Sequence, residues 1–110
     1  MQAGPDLIVV NTEEVPGRRI VELYGVVSGS SVRAKHLGRD VMAALKNLVG
    51  GELRGYTELL QEARAEALAR MQDQARERGA NAIVNVRFST SAITQGAAEL
   101  FAYGTAVRVE

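Results

Sequence analysis

The segment from Ser28 to Arg39 holds the residues of this sequence best suited to binding a small ligand. It reads SGSSVRAKHLGR, a glycine- and serine-rich bend after a strand that runs into basic residues at the start of a helix. Backbone N–H groups at a helix start, together with cationic side chains, are the usual partners of an anion. The segment matches neither the phosphate-binding loop of nucleoside triphosphatases nor the dinucleotide-binding glycine pattern. The candidate ligand-binding residues are Ser28, Ser30, Arg33, Lys35, His36 and Arg39.

The same segment also fits a solvated loop or a subunit contact, because clusters of lysine and arginine are ordinarily surface residues. We prefer that interpretation and keep a small anionic ligand as the alternative.

The single histidine, His36, limits the catalytic chemistry that the chain could support. Cysteine is absent, so thiolate nucleophiles and disulfides are excluded. A serine nucleophile would have to use His36 as its base, and no Gly-x-Ser-x-Gly elbow occurs. We therefore predict that the protein is not an enzyme and carries no cofactor.

Metal chemistry is limited in the same way. His36 and Asp40 are four residues apart and could meet on one helical turn, but two ligands do not complete a site. Glu58, Glu62 and Glu66 repeat that spacing without the Glu-x-x-His pattern of two-metal helical bundles. These glutamates fit a solvated helix face with opposite-charge pairs, Arg54–Glu58 and Glu66–Arg70. Rotational symmetry could still bring several copies of His36 to one axis, so a metal site between subunits stays an alternative.

The composition is that of one soluble domain spanning residues 1–110. The chain is 46% hydrophobic and 24% charged, and 13 basic residues balance 13 acidic ones, so no net charge favours nucleic acid or a membrane surface. No apolar run approaches the roughly 20 residues of a membrane span, and the N-terminus lacks the basic region of a secretory signal. With no cysteine present, we expect a cytoplasmic protein.

The apolar residues are small. Alanine occurs 16 times, whereas only three tyrosines and two phenylalanines are present. A small chain with so lean a core commonly gains the missing burial from a partner subunit. We therefore expect the chain to associate with itself.

The first half of the chain predicts two strands that could form a hairpin. Residues 6–12 are a short β-branched run, Pro16-Gly17 is a turn signal, and residues 18–29 resume as a longer strand. Alternation puts Val21, Leu23, Gly25 and Val27 on one face of the longer strand, and Ile20, Glu22, Tyr24 and Val26 on the other. Both faces are mostly apolar, so we expect each face of this strand to be packed against another part of the protein.

Two helices are predicted next. The spacing of Leu37, Val41, Leu45 and Leu48 is typical of a short helix, which Gly50-Gly51 would end. A long helix follows from an N-cap at Gly55 to Gly79, which suits the left-handed residue after a helix end. Its narrow apolar stripe comprises Tyr56, Leu59, Leu60, Ala63, Ala67, Met71 and Ala75.

The sequence RGANAIVNVRF, residues 78–88, could be a ligand-binding loop or the point where a helix turns into a strand. We predict the second. Gly79 ends the helix, Ala80 lies at a tight helix–sheet crossing, and Asn81 leads into a strand. The expected strand faces are Ala82, Val84, Val86 and Phe88 against Ile83, Asn85 and Arg87. Residues 89–97 are expected to form a polar turn region. In the closing strand, Phe101, Tyr103, Thr105, Val107 and Val109 alternate with Leu100, Ala102, Gly104 and Ala106, whose small side chains would allow a helix to approach closely.

Four stretches together resemble the YbjQ-like family of bacterial proteins, whose members are often labelled heavy-metal-binding domains. They are ELYGVVSG, the Gly-Gly before GYTELLQEAR, ARERGANAIVNVRF and ELFAYGTAVRVE, and they cover nearly the whole chain. The resemblance implies an α+β fold: a two-layer α/β subunit with an antiparallel sheet and one long helix plus a short one, similar to dodecin-like folds. It also implies a ring-like homopentamer and no established enzyme activity. The ligand types that the metal label suggests are missing here, so no metal residue follows from it.

These observations together predict a non-catalytic homo-oligomer that serves as a scaffold or binds a small ligand, and the resemblance alone implies a pentamer. We place Tyr24 and Tyr103 near the subunit contact, since tyrosine suits interfaces where an apolar ring ends in a hydroxyl.

Overall fold

The computed structural model describes residues 6–33, 54–94 and 97–110. In these ranges the chain forms strand β1 (Ile8–Val9), strand β2 (Ile20–Arg33), helix α1 (Arg54–Glu77), strand β3 (Ala82–Thr94) and strand β4 (Ala97–Val109). The fold of this part is α+β, with α1 packed on one face of a four-stranded sheet. The short helix predicted around residues 37–48 lies outside the described residues.

The sheet is mixed, with the strand order β1-β3-β4-β2. Strands β2 and β3 run antiparallel to β4, whereas β1 runs parallel to β3. The expected wholly antiparallel sheet and the expected hairpin between β1 and β2 were therefore wrong. The turn at Gly17 (φ 79°) does not fold β2 back onto β1. Instead, the connection crosses the sheet, and Val15 is buried on the way against Val84 and Val107.

Helix α1 ends as the sequence predicted. Gly79 has φ 86°, its amide donates to the Arg76 carbonyl at 3.0 Å, and the Ala80 amide donates to the Ala75 carbonyl at 3.1 Å. This pair of hydrogen bonds is the Schellman motif, and Ala75 and Ala80 supply its apolar contact. The predicted helix end at Gly79 is confirmed.

The apolar stripe of α1 is also confirmed over its described part, because Ala63, Ala67, Met71 and Ala75 are all buried. The helix lies very close to β2 at Gly29. A Cβ atom added at Gly29 would overlap the Ala67 carbonyl oxygen and the Met71 amide nitrogen, which are backbone atoms of the helix. Small side chains and a glycine thus set the distance between helix and sheet.

A bulge in β2 changes which residues share a face. Leu23 pairs with Val107 and Gly25 with Ala106, so Tyr24 is an extra residue in β2. Gly25 has φ 96°, a conformation that glycine adopts without strain. Since one extra residue reverses the alternation, Leu23 and Val26 lie on the same face. The predicted assignment of these two residues to opposite faces was wrong.

Strand β3 contains a similar irregularity at Asn85, a non-glycine residue with φ 56°. The register shifts between Val84 and Arg87. Before the shift Val84 packs on the face away from α1, and after it Val86 packs in the cluster beneath α1. The predicted set that joined Val84 to Val86 on one face was therefore wrong.

Strands β3 and β4 are longer than expected. β3 continues to Thr94 and β4 begins at Ala97, so most of the polar turn region predicted at residues 89–97 is paired strand, with Thr94 opposite Ala97. Pairing with β4 provides hydrogen-bond partners for the backbone groups of these serine and threonine residues that point toward β4. The predicted faces of β4 are confirmed, because Ala102 and Ala106 lie under α1 while Val107 and Val109 lie on the other side.

Candidate functional site

The face of the sheet turned away from α1, called here the outer face, is only partly covered by the described residues. Where the start of β2 lies beside the end of β4, the outer face is buried. There Val15 packs on Ala82, Val84, Val107 and Val109. Further along the same strands, Leu23 is 71% exposed and Val26 is 67% exposed. We call Leu23, Val26, Phe101 and Tyr103 the outer patch.

The outer patch includes residues of both β2 and β4 on one face of the sheet. Residues directly opposite each other share a face, and Val26 pairs with Thr105 while Ser28 pairs with Tyr103. The rings of Phe101 and Tyr103 stack with their centroids 5.5 Å apart. Apolar and aromatic side chains grouped on one exposed sheet face are typical of a protein interaction surface.

On the other side of β2, three side chains of α1 and the side chain of the residue directly after it bind the strand through hydrogen bonds. They follow each other at intervals of four residues and so lie along one side of the helix. They are called here the polar ladder: Glu66, Arg70, Gln74 and Arg78.

The first two members of the polar ladder also form an ion pair. The Arg70 Nη2 atom lies 3.4 Å from Glu66 Oε2, as the sequence predicted. Glu66 Oε1 accepts a hydrogen bond from the buried Ser31 hydroxyl at 2.5 Å, and Arg70 Nη1 donates to the Ser30 carbonyl oxygen at 2.6 Å. The carboxylate therefore has partners on both the helix and the strand.

The last two members bind the backbone around the β2 bulge. Gln74 Oε1 accepts from the Ser28 amide at 2.8 Å. Arg78 Nη1 donates to two carbonyl oxygens, that of Val26 at 2.9 Å and that of Tyr24 at 3.1 Å. One guanidinium group thus holds both carbonyls that flank Gly25.

The candidate anion-binding residues are divided by this arrangement. Ser28, Ser30 and Arg33 belong to β2, so the expected bend at residues 28–33 was wrong: this part of the segment continues pairing with β4. The Ser28 amide is already bound to Gln74, and the Ser30 carbonyl oxygen is already bound to Arg70. Lys35, His36 and Arg39 lie outside the described residues, and an anion site there stays a prediction.

The two tyrosines placed at a subunit contact lie on opposite sides of the sheet. Tyr103 belongs to the outer patch and is 36% exposed. Tyr24 packs against the cluster beneath α1, and its hydroxyl donates to Glu22 Oε1 at 3.1 Å. Sequence reasoning missed that Leu23 and Val26 join Tyr103. The available signal was Gly25, since a glycine inside a strand pattern often marks a bulge.

An open pocket of about 460 Å³ lies beside α1, between the helix and the end of β1. Its floor is largely apolar, and two arginines lie near it. Arg87 Nη1 donates to the Asn11 and Val86 carbonyl oxygens at 2.9 and 3.0 Å, while the Arg64 guanidinium lies 5.9 Å from the centre of the Phe88 ring. The lining residues are Val9, Val10, Asn11, Leu68, Val86, Arg87 and Phe88.

Within residues 6–33, 54–94 and 97–110, no three His, Cys, Asp or Glu side chains are grouped to hold a metal ion. His36 and Asp40 are outside these ranges. In the described part of the chain, α1 is not apolar enough to be a membrane-spanning helix.

Comparison with known families assigns the chain. The model of the YbjQ family, described as "Putative heavy-metal-binding", matches residues 7–110. The chain belongs to the YbjQ family. The resemblance inferred from the sequence is thereby confirmed.

Relatives of this YbjQ-family chain occur in bacteria and in archaea. A UPF0145 protein of Hahella chejuensis is 64% identical over 94% of this chain and 100% of the relative. A UPF0145 protein of Archaeoglobus fulgidus is 58% identical over 94% of this chain and 96% of the relative. The expectation of a purely bacterial family is therefore too narrow.

A solved structure shares the fold. It is a protein of unknown function from Pediococcus pentosaceus that belongs to the DUF74 family, and it matches with a TM-score of 0.63 at 14% identity. The match covers 94% of this chain and 98% of the other. At that identity the likeness concerns the fold alone.

Proposed function

We propose that this YbjQ-family chain is a non-catalytic homo-oligomer, serving as a scaffold or binding a small ligand, and that the outer patch is its subunit contact. The observation that carries the proposal is the exposure of Leu23 (71%) and Val26 (67%) beside the stacked Phe101 and Tyr103. Scattered exposed apolar residues are normal, but a group on one sheet face is the usual sign of an interface.

The energetics favour association through this patch. Burying the side chain of a leucine, valine or phenylalanine contributes about 1.5–3 kcal/mol. Leu23, Val26 and Phe101, together with the ring of Tyr103, would contribute on the order of several kcal/mol per contact. Part of that is offset by the loss of translational and rotational freedom on association. The composition supports the same conclusion, because a chain with five aromatic residues has few means of adding to its own core.

We propose five subunits arranged in a ring, on the basis of the family resemblance alone. Adjacent subunits in a ring meet through two different surfaces. The outer patch supplies one surface. The open pocket beside α1 is suited to be the other, since it lies on the opposite side of the sheet and includes Phe88, which is 42% exposed.

The size of the native protein tests this proposal. Multi-angle light scattering should give a multiple of the 11.8 kDa chain mass, with five as the expected multiple. A stable, folded wild-type monomer at micromolar concentration would contradict self-association. A tetramer or hexamer would contradict the ring of five only.

Two variants test the surface. Val26→Glu and Tyr103→Glu should each release smaller species, because each places a charge in the proposed contact. Ala65→Glu introduces the same charge at an exposed position of α1 and should leave the assembly unchanged. If Val26→Glu behaves like Ala65→Glu, the outer patch is not the contact.

A metal site between subunits is the second candidate, favoured by the description of the family as "Putative heavy-metal-binding". Such a site would combine His36 with Asp40 or with glutamates from several copies. Titration of metal-free protein with zinc, copper and nickel separates the two functions. We expect no sub-micromolar stoichiometric binding, and tight binding that disappears in His36→Ala would establish the metal function instead.

A further inference from the structure

Strand β2 is a long edge strand. It has 14 residues and pairs with β4 on one side, whereas its other edge faces no strand in the described part of the chain. In an antiparallel strand, the N–H and C=O groups of alternate residues point to opposite edges. A long edge with unpaired groups and an apolar face is a template for pairing with strands of other chains.

Several outward-pointing backbone groups in the middle of β2 are already bound. Residues 26, 28 and 30 are successive alternate positions, and each has a backbone group within hydrogen-bonding distance of a side chain of the polar ladder. The occupied groups are the Val26 carbonyl oxygen, the Ser28 amide and the Ser30 carbonyl oxygen. The close approach of α1 at Gly29 places the helix side chains within reach of this edge.

The bulge strengthens the same effect. An extra residue at Tyr24 twists the strand locally, and Arg78 holds the carbonyls on both sides of Gly25. A partner strand therefore meets an irregular ladder, in which the carbonyl oxygens of Tyr24, Val26 and Ser30 already have donors.

We propose that the polar ladder closes the free edge of β2, so that other copies of this chain cannot extend the sheet along residues 24–30. Association is thereby directed to the side chains of the outer patch, a consequence that rests on the proposed function. Closure of the edge does not rest on it, because the hydrogen bonds lie within one subunit. Without the ladder, β2 becomes open to strand addition by further copies, and assembly has no defined end.

Hydrogen exchange at the Ser28 amide, measured by NMR, tests the closure directly. Gln74→Leu removes the acceptor of this amide, and exchange should become about tenfold faster, as expected for the loss of one hydrogen bond. Gln74→Glu keeps an acceptor oxygen at the same reach and should restore slow exchange. Equal exchange in wild type and Gln74→Leu would overturn the proposal.

Removing the donors and the acceptor together tests the consequence. The triple variant Arg70→Ala, Gln74→Ala, Arg78→Ala should remain helical by circular dichroism and should form large, thioflavin-positive species that wild type does not form. Arg76→Ala is the matched control, since Arg76 lies on the same helix and pairs with Asp73 at 3.4 Å. A folded triple variant with the size distribution of wild type would refute the proposal.

The two experiments decide independently. If the triple variant fails to fold, the Ser28 exchange in Gln74→Leu and Gln74→Glu decides the question alone. The comparison is always with wild type, whatever its size. A monomeric wild type therefore contradicts self-association but leaves the edge closure to be judged by the variants.

Discussion

Replacing Gly29 by alanine is expected to destabilise the protein, although alanine suits most backbone positions better than glycine. A Cβ atom at this position would overlap two backbone atoms of α1, in Ala67 and Met71, and would lie 2.8 Å from the Arg70 Cβ atom. Backbone atoms within a helix cannot rotate aside as a side chain can. The whole helix would have to move away from β2, taking with it the buried stripe that includes Met71.

The sign of the effect follows from two opposing magnitudes. Alanine in place of glycine reduces the entropy of the unfolded chain and stabilises a protein by about 0.4–1 kcal/mol where the backbone allows it. Overpacking a close contact costs about 1–3 kcal/mol, and the upper part of that range applies here because the overlap is with backbone. The free energy of unfolding should therefore fall by about 1–2.5 kcal/mol. At about 4 °C per kcal/mol for a domain of this size, the melting temperature should fall by about 4–10 °C.

Thermal unfolding followed by the helical circular dichroism signal measures this difference. Gly17→Ala is the control for backbone strain without crowding, since Gly17 has φ 79° and no heavy atom within 4 Å of an added Cβ. Its expected loss is about 1 kcal/mol. If Gly29→Ala melts at or above the wild-type temperature, α1 does not approach β2 as closely as described, and the reasoning fails.

Three further predictions concern other positions. Gly104→Ala should lower the unfolding free energy by about 1–3 kcal/mol in urea, because the added Cβ would lie 3.0 Å from the Val84 carbonyl oxygen; an unchanged midpoint would contradict this packing. Asn81→Ala should cost about 1–3 kcal/mol, since the Asn81 amide group binds both the N–H and the C=O of Val109, at 2.8 and 3.0 Å. Asn81→Asp keeps only the acceptor and should fall between Asn81→Ala and wild type. If the 28–39 segment binds an anion, phosphate should raise the melting temperature by mass action, and joint replacement of three basic residues should abolish that rise; no response to phosphates or nucleotides would leave this segment as surface or subunit contact. The three residues are Arg33, Lys35 and Arg39.

The amino-acid sequence determined the features that depend on nearby residues. The end of α1 at Gly79 follows from the conformational freedom of glycine, and the structure shows the left-handed residue there. The buried stripe with Ala67 and Met71 follows from the helical period. The two faces of β4 follow from strict alternation, because β4 shows no extra residue opposite β2 or β3 at Ala102 to Ala106.

The tertiary structure alone decided the features that depend on a partner strand. A bulge exists only relative to the strand opposite, so the extra residue at Tyr24 could not be read from alternation in β2, and the outer patch could not be assembled from its sequence. Asn85 reverses the face of β3 for the same reason.

The pairing of β1 and the contacts of the polar ladder could not be predicted from the sequence, because they join segments that are far apart along the chain. Strand β1 pairs with β3, more than 70 residues later, since Ile8 lies opposite Ala82. The four-residue spacing of Glu66 and Arg70 is visible in the sequence, but it predicted only a solvated helix face. Whether such side chains reach water or a strand edge depends on how closely the helix packs, and Gly29 sets that distance only once α1 and β2 have come together.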